Sequence, residues 1–178
     1  ALADAASPRP VRGKHGMVVS AHRLASEVGV QILQRGGNAV DAAVAVGFTL
    51  AVAYPEAGNI GGGGFMLIRN HDGKIAGIDF REKAPNSASR NMYLDSAGNV
   101  TGKSVSGLLA SAVPGTVAGL LMALERFGTM PIRELIQPAI DYAEKGFVVD
   151  RRLADNLVLY ADSLKQYPST VALLSKGG

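Results

Sequence analysis

The stretch that decides the fold is Gly36-Gly-Asn-Ala-Val-Asp-Ala-Ala-Val-Ala-Val46, continued by Gly47-Phe-Thr-Leu-Ala-Val-Ala-Tyr-Pro55. Two glycines close whatever precedes them. Asn38 then offers a side-chain oxygen to the free N–H groups of a new helix, and Asp41 falls in its first turn, where the helix dipole favours an anion. From Val40 through Val44, Phe48 and Val52 this helix is apolar nearly all round. Such a helix must be covered on several sides. Ala42, Ala43, Ala45 and Gly47 are small enough to admit close neighbours. A chain of 178 residues is expected to supply that cover only in part, which points to a partner.

Working outward toward the N-terminus, a first helix is expected after Ser20, with Leu24, Val28, Ile32 and Leu33 on one stripe. Gly36 and Gly37 stop it. Residues 1–16 read as an extended lead-in with Pro8, Pro10, Gly13 and Gly16, and Ala1-Leu2-Ala3 is compatible with the remnant of a signal-peptide cleavage site.

Toward the C-terminus, Gly58-Asn-Ile-Gly-Gly-Gly-Gly64 leads into Phe65 to Ile68. That unbroken apolar run is expected to be a strand buried on both faces. Asp72-Gly73 signals a two-residue hairpin. The return strand, about 74–81, puts Ala76, Ile78 and Phe80 on one face and Asp79 and Arg81 on the other. Residues 82–112 are polar and show no period, and loops of this length are often functional. Three further helices are expected. The first, 114–127, is opened by Pro114 and closed by Gly128. The second, 131–145, is broken or kinked at Pro138. The third, 150–165, is amphipathic, with Pro168 beyond it. Helices, a hairpin, then helices make an α+β order without βαβ alternation.

Composition removes several classes of function. With 47% hydrophobic and 19% charged residues the chain is not intrinsically disordered. The absence of Cys excludes disulfides, zinc-thiolate sites and cysteine nucleophiles. The net charge is only +3, the basic residues are scattered, and aromatics are 6% with no Trp. Nucleic-acid binding wants a basic stripe with interleaved aromatics, so nucleic acid is not expected as a partner. The most apolar run, Ala42 to Ala53, is shorter than the ~20 residues of a membrane span. No membrane partner is expected either.

The four glycines Gly61 to Gly64 follow a helix and precede a strand, the reverse of a phosphate-binding loop. They read as a place of close backbone approach or tight packing. Ala97 to Ser104 is a near miss for the other nucleotide motif, because its leading glycine, Gly98, comes one residue too late. His15, His22 and His71 have no partner at metal-ligand spacing, so neither metal nor cofactor is expected. Ser106 and Ser111 lack the glycines of a nucleophile elbow. Arg81 is the candidate binding residue. It stands at a strand end beside a long polar loop, and its planar fork suits a carboxylate. The ordinary alternative is an ion pair with Asp79 or Glu82.

Several of these runs together resemble the γ-glutamyltranspeptidase family. They are Gly36 to Val46, Pro55-Glu-Ala-Gly-Asn-Ile-Gly-Gly-Gly-Gly-Phe65, Ile78-Asp-Phe-Arg-Glu82 with Ala84-Pro85, Pro114-Gly-Thr-Val-Ala-Gly119 and Phe127-Gly-Thr-Met-Pro131. The likeness extends from about Val11 to beyond Tyr160. It implies an N-terminal-nucleophile hydrolase, a four-layer αββα sandwich, made from a precursor that cleaves itself into a large and a small subunit. The small subunit begins with the catalytic Thr, whose hydroxyl attacks the γ-glutamyl carbonyl while its α-amine serves as base. Water or an amino acid or peptide then takes the acyl group.

On this resemblance residues 1–178 are the N-terminal part of the large subunit. The partners implied are the small catalytic subunit and the remainder of the large one. No catalytic residue is expected in this chain, because it starts at Ala1 and Thr49, Thr101, Thr116, Thr129 and Thr170 are internal. Alone it is expected to be inactive. Arg81 matches the arginine that binds the substrate α-carboxylate. Gly61 to Gly64 are not the family's oxyanion hole, which comes from a later glycine pair. The rest of the protein is expected to complete the cover of the 39–54 helix and to extend the hairpin into a larger sheet. Bacterial members are commonly exported, so the expected location is periplasmic or extracellular. Two alternatives remain: an acylase that removes a glutaryl or other side chain, as in cephalosporin acylases, and a non-catalytic module that holds an anion on Arg81.

Overall fold

The computed structural model describes residues 10–174. The expected lead-in before Pro10 and the reading of Ala1-Leu2-Ala3 lie outside the described residues, while residues 10–22 carry no helix or strand. Helix α1, Arg23–Gln34, is capped by His22, whose Nδ1 accepts the Leu24 N–H at 3.3 Å. It ends where Gly36 turns to φ +93°. There the Gly36 N–H reaches the Leu33 carbonyl and the Gly37 N–H the Ile32 carbonyl, which satisfies two of the helix's last acceptors.

Helix α2, Ala39–Ala53, starts on a reciprocal cap. Asn38 Oδ1 accepts from Val40 and Asp41, and Asp41 Oδ2 accepts from the Asn38 N–H. Eight of its 15 residues are buried, Val44 and Ala45 completely. Helices α1, α3 (Thr116–Phe127) and α4 (Ile132–Lys145) pack against it. The chain therefore supplies most of the cover of α2 itself, more than its apolar circumference led us to expect. Small residues make this possible: Gly29 lies against Val46, and Gly47 against Leu120.

Asp41 is the joint of this core. It is fully buried and accepts four hydrogen bonds, from the Asn38, Thr129 and Met130 N–H groups and from the Thr129 hydroxyl. Burial alone would raise its pKa. The Thr129 hydroxyl and the three backbone donors outweigh that and hold it below the ordinary carboxylate value.

Strands β1, Phe65–Arg69, and β2, Ile75–Asp79, form a two-stranded antiparallel sheet with Phe65 opposite Asp79 and Arg69 opposite Ile75. Two expectations are corrected here. The connection is a three-residue loop, 71–73: Gly73 N–H meets the Asn70 carbonyl, Asn70 N–H meets the Lys74 carbonyl, and Gly73 has φ +85°. Asp72-Gly73 serves this wider turn because its Gly supplies the left-handed residue. Nor is β1 buried on both faces. Ile68 and Ile78 enter the core at 8% and 6% exposure, whereas Phe65, Leu67 and Ile75 are 66%, 79% and 67% exposed. Nothing in the described residues lies over that second face.

Three helix expectations also change. Pro114 precedes α3 by two positions, and Gly115 caps it, because the Gly115 and Thr116 N–H groups both bond the Gly62 carbonyl. Helix α4 runs through Pro138 without a break. Its Leu135 and Ala139, buried toward α2, hold the helix across the missing hydrogen bond. The segment expected as one helix over 150–165 divides at Tyr160 into α5, Arg151–Leu159, and α6, Ala161–Leu164. A further helix, α7, Pro168–Leu174, begins at the proline expected to lie beyond the last one. The architecture is α+β. Among the described residues no helix is long and apolar enough to cross a membrane.

Candidate functional site

The segment that carries Arg81 leaves β2 through Phe80, which exchanges two backbone hydrogen bonds with Gly64. Its position is set largely by missing side chains. A Cβ on Gly63 would lie 2.6 Å from the Phe80 carbonyl oxygen and 2.9 Å from Arg81 Cα, and one on Gly115 would lie 2.0 Å from the same carbonyl oxygen. Real side chains cannot stand that close, so the glycine loop and the start of α3 close on Phe80 and Arg81 from two directions. The expectation for Gly61 to Gly64 holds as close backbone approach at Gly63 and as tight packing against the Phe80 ring at Gly64. Gly61 instead faces open space.

Asn59 fixes the loop. Its Oδ1 accepts from the Gly62 N–H at 2.7 Å and from the Thr116 hydroxyl at 2.9 Å. The Gly62 carbonyl in turn receives the two N–H groups at the start of α3. Beyond Arg81 the chain is held again, where Lys83 and Val113 exchange both backbone hydrogen bonds. Between these points the long loop folds back on itself. Thr101 bonds the Tyr93 carbonyl through both its N–H and its hydroxyl, and the Tyr93 hydroxyl donates to the Leu109 carbonyl.

The result is an open cleft of ≈ 560 Å³ whose wall includes Gly61, Arg81, Glu82, Lys83, Tyr93 and Ser111. Arg81 is exposed, its N–H is held by Asp79 Oδ1 at 3.0 Å, and among the described residues no carboxylate pairs with its guanidinium. The ion pair with Asp79 or Glu82 that context alone favoured is not made. What Asp79 holds is the backbone, which leaves the planar fork free.

No nucleophile and base meet here. Ser111 lines the cleft, but no histidine does. His22 caps α1 with its Nε2 3.6 Å from Asp150, and His71 sits exposed in the hairpin turn. Ser106 shares a hydrogen bond with Tyr167. Gly98 and the Gly102–Ser104 turn belong to the folded-back loop, with no helix opening onto an anion. Among the described residues there is no group of three or more metal-ligating side chains. Sequence reasoning singled out Arg81 as a candidate but did not foresee the cleft it lines, because the walls come largely from the aperiodic loop.

A model of the family described as Gamma-glutamyltranspeptidase matches residues 25–178. The chain belongs to the γ-glutamyltranspeptidase family. It is 53% identical over 171 residues to the glutathione hydrolase proenzyme of Escherichia coli (strain K12), covering 95% of this chain and 30% of that protein. It is 44% identical over 178 residues to the Acylase ACY 1 proenzyme of Pseudomonas sp. (strain SE83), of which it covers 32%. The crystal structure of Helicobacter pylori γ-glutamyltranspeptidase matches with a TM-score of 0.92 and 47% sequence identity, over 95% of this chain and 49% of that one. The chain thus spans under a third of these curated relatives and about half of the solved γ-glutamyltranspeptidase chain.

Proposed function

We propose that this chain is the N-terminal part of the large subunit of a γ-glutamyl transferase and hydrolase, and that Arg81 binds the α-carboxylate of the donor. The observation that carries this reading is an unpaired guanidinium on a held backbone at the wall of a cleft, within a chain of this family. A carboxylate meeting that fork gains two parallel charge-assisted hydrogen bonds, worth about 1.5–3 kcal/mol.

The reacting groups belong to the small subunit in this proposal. Its N-terminal Thr hydroxyl attacks the γ-carbonyl carbon, and the γ-amide C–N bond breaks. The leaving amine takes the proton that the Thr α-amine removed from the hydroxyl. Water, or the amine of an acceptor, then attacks the ester, releasing the γ-glutamyl group and restoring the hydroxyl. Residues of this chain position the donor and supply no proton. The same proposal includes a four-layer αββα sandwich, in which the exposed hairpin face is covered by the rest of the protein, and a periplasmic or extracellular location. The word proenzyme in the relatives' names supports cleavage into subunits.

In the complete enzyme, Arg81→Ala is expected to raise KM for γ-glutamyl donors by roughly tenfold to a hundredfold. An unchanged KM removes Arg81 from donor binding. The acylase relative favours a second reading, removal of a side chain that lacks the α-amino group. Comparing hydrolysis of γ-glutamyl and glutaryl anilides separates the two, and the proposed function requires preference for the γ-glutamyl compound.

A further inference from the structure

We propose that Lys83 forms a second anion subsite in the same cleft, for a carboxylate on the leaving group, such as the C-terminal carboxylate of a γ-glutamyl dipeptide. The inference rests on the donor-binding role of Arg81 given above. Lys83 follows Arg81 by two residues and lines the cleft with it. Its N–H and carbonyl pair with Val113 at 3.2 and 2.8 Å, so its backbone is pinned on both sides. Among the described residues no group pairs with its ammonium. Exposed cations without partners occur elsewhere, Arg69 and Arg90 among them. Lys83 differs because it is anchored and shares one cleft with Arg81.

Reach and charge both fit. The Cα atoms of Arg81 and Lys83 are at most about 7 Å apart. An extended γ-glutamyl dipeptide separates its two carboxylates by about 10 Å, and the flexible four-carbon stem of lysine spans the difference. Arg81, Glu82 and Lys83 leave the wall with one net positive charge. A donor with two carboxylates and one ammonium carries the complementary net charge. An anilide leaving group offers Lys83 nothing to bind.

The test compares kcat/KM in the complete, processed enzyme for a γ-glutamyl dipeptide with a free C-terminal carboxylate and for the same peptide as its C-terminal amide. The wild type is expected to favour the carboxylate by about tenfold, the equivalent of one charge-assisted bond in an open cleft. Lys83→Met should bring that ratio close to one, and Lys83→Arg should preserve it. Arg81→Lys should lower turnover of both peptides together. A wild-type ratio near one, or a ratio that Lys83→Met leaves in place, overturns the subsite and leaves the Arg81 reading standing. Failure of the wild type to turn over either peptide overturns both. Because the Val113 pairing is made by backbone alone and the Lys83 side chain is exposed, the substitution is compatible with folding. A wild-type ratio near one already overturns the subsite, and a ratio of about ten is assigned to Lys83 by its loss in Lys83→Met.

Discussion

A methyl group at Gly119 would stand 2.1 Å from Phe80 Cγ, and both contacts behind it, to Phe80 Cβ and Cδ1, are 2.4 Å. Gly119 is buried inside a helix, where Ala is ordinarily better than Gly by about 1 kcal/mol. Here the sign reverses. Gly119→Ala must push the Phe80 ring aside, and overpacking of this kind costs about 1–3 kcal/mol. Thermal unfolding should show a lower Tm for Gly119→Ala. In the complete enzyme its KM for donors should rise in the same direction as for Arg81→Ala, since Phe80 carries Arg81. Gly36 provides the contrast. It has φ +93° and nothing within 4 Å of a Cβ, so Gly36→Ala strains only the backbone. At this scale the place of Arg81, a strand end beside a polar loop, was legible, while its proposed role came from the family resemblance, since local context favoured an ordinary ion pair. Lys83 was not legible as its neighbour in a cleft, because that depends on Val113, thirty residues on, and no local pattern announces the pairing.

Among elements, α2 was the easiest to foresee and α4 the hardest. The cap of α2 is local: Asn38 and Asp41 lie three residues apart and satisfy each other's backbone. The hairpin turn was foreseen as to place but not length, since Asp-Gly suits a two-residue and a three-residue loop alike. Pro138 was read as a break or a kink because proline removes a helical hydrogen bond, and the helix is not broken there. What outweighs that loss is tertiary: Leu135 and Ala139 are buried against α2 on either side of the proline. This makes Leu135 the decisive residue of α4. Leu135→Ala should destabilise the protein by about 2–5 kcal/mol, as a large-to-small change in a fully buried position. Denaturant titration checks it, and a cost under 1 kcal/mol would mean that α4 is held by its ends instead.

For the whole molecule, the apolar runs stated how much burial was required but not which part of the protein provides it. Helix α2 demanded cover and received most of it from α1, α3 and α4. Phe65, Leu67 and Ile75 made the same demand and are open in the described residues. The acid stability of the core is a property of this same scale, because Asp41 joins α2 to the corner between α3 and α4. Its folded pKa lies below an unfolded value of about 3.9. The unfolded chain therefore binds more protons between those two values. The stabilisation is fully present above the unfolded value and is lost as pH falls through the folded one. Thr129→Val removes the hydroxyl bond, raises the folded pKa and should move the midpoint of acid unfolding to higher pH. A circular-dichroism titration below pH 5 measures the shift, and coincident curves for the two proteins would contradict the role of Thr129.

The donors that satisfy Asp41 also impose a schedule. One comes from Asn38, but the others lie 88 and 89 residues further along the chain. A ribosome adding roughly 5–20 residues per second needs about 4–18 s to make that interval. Throughout it the Asp41 carboxylate has only its own helix cap for company, and burying it then would leave a charge poorly satisfied. Helix α2 can form and lean on α1 early, yet the core cannot shut over Asp41 until Thr129 and Met130 have left the exit tunnel. The partners that complete the burial of this one carboxylate are thus among the last residues of the core to be made, well after the most apolar helix of the chain.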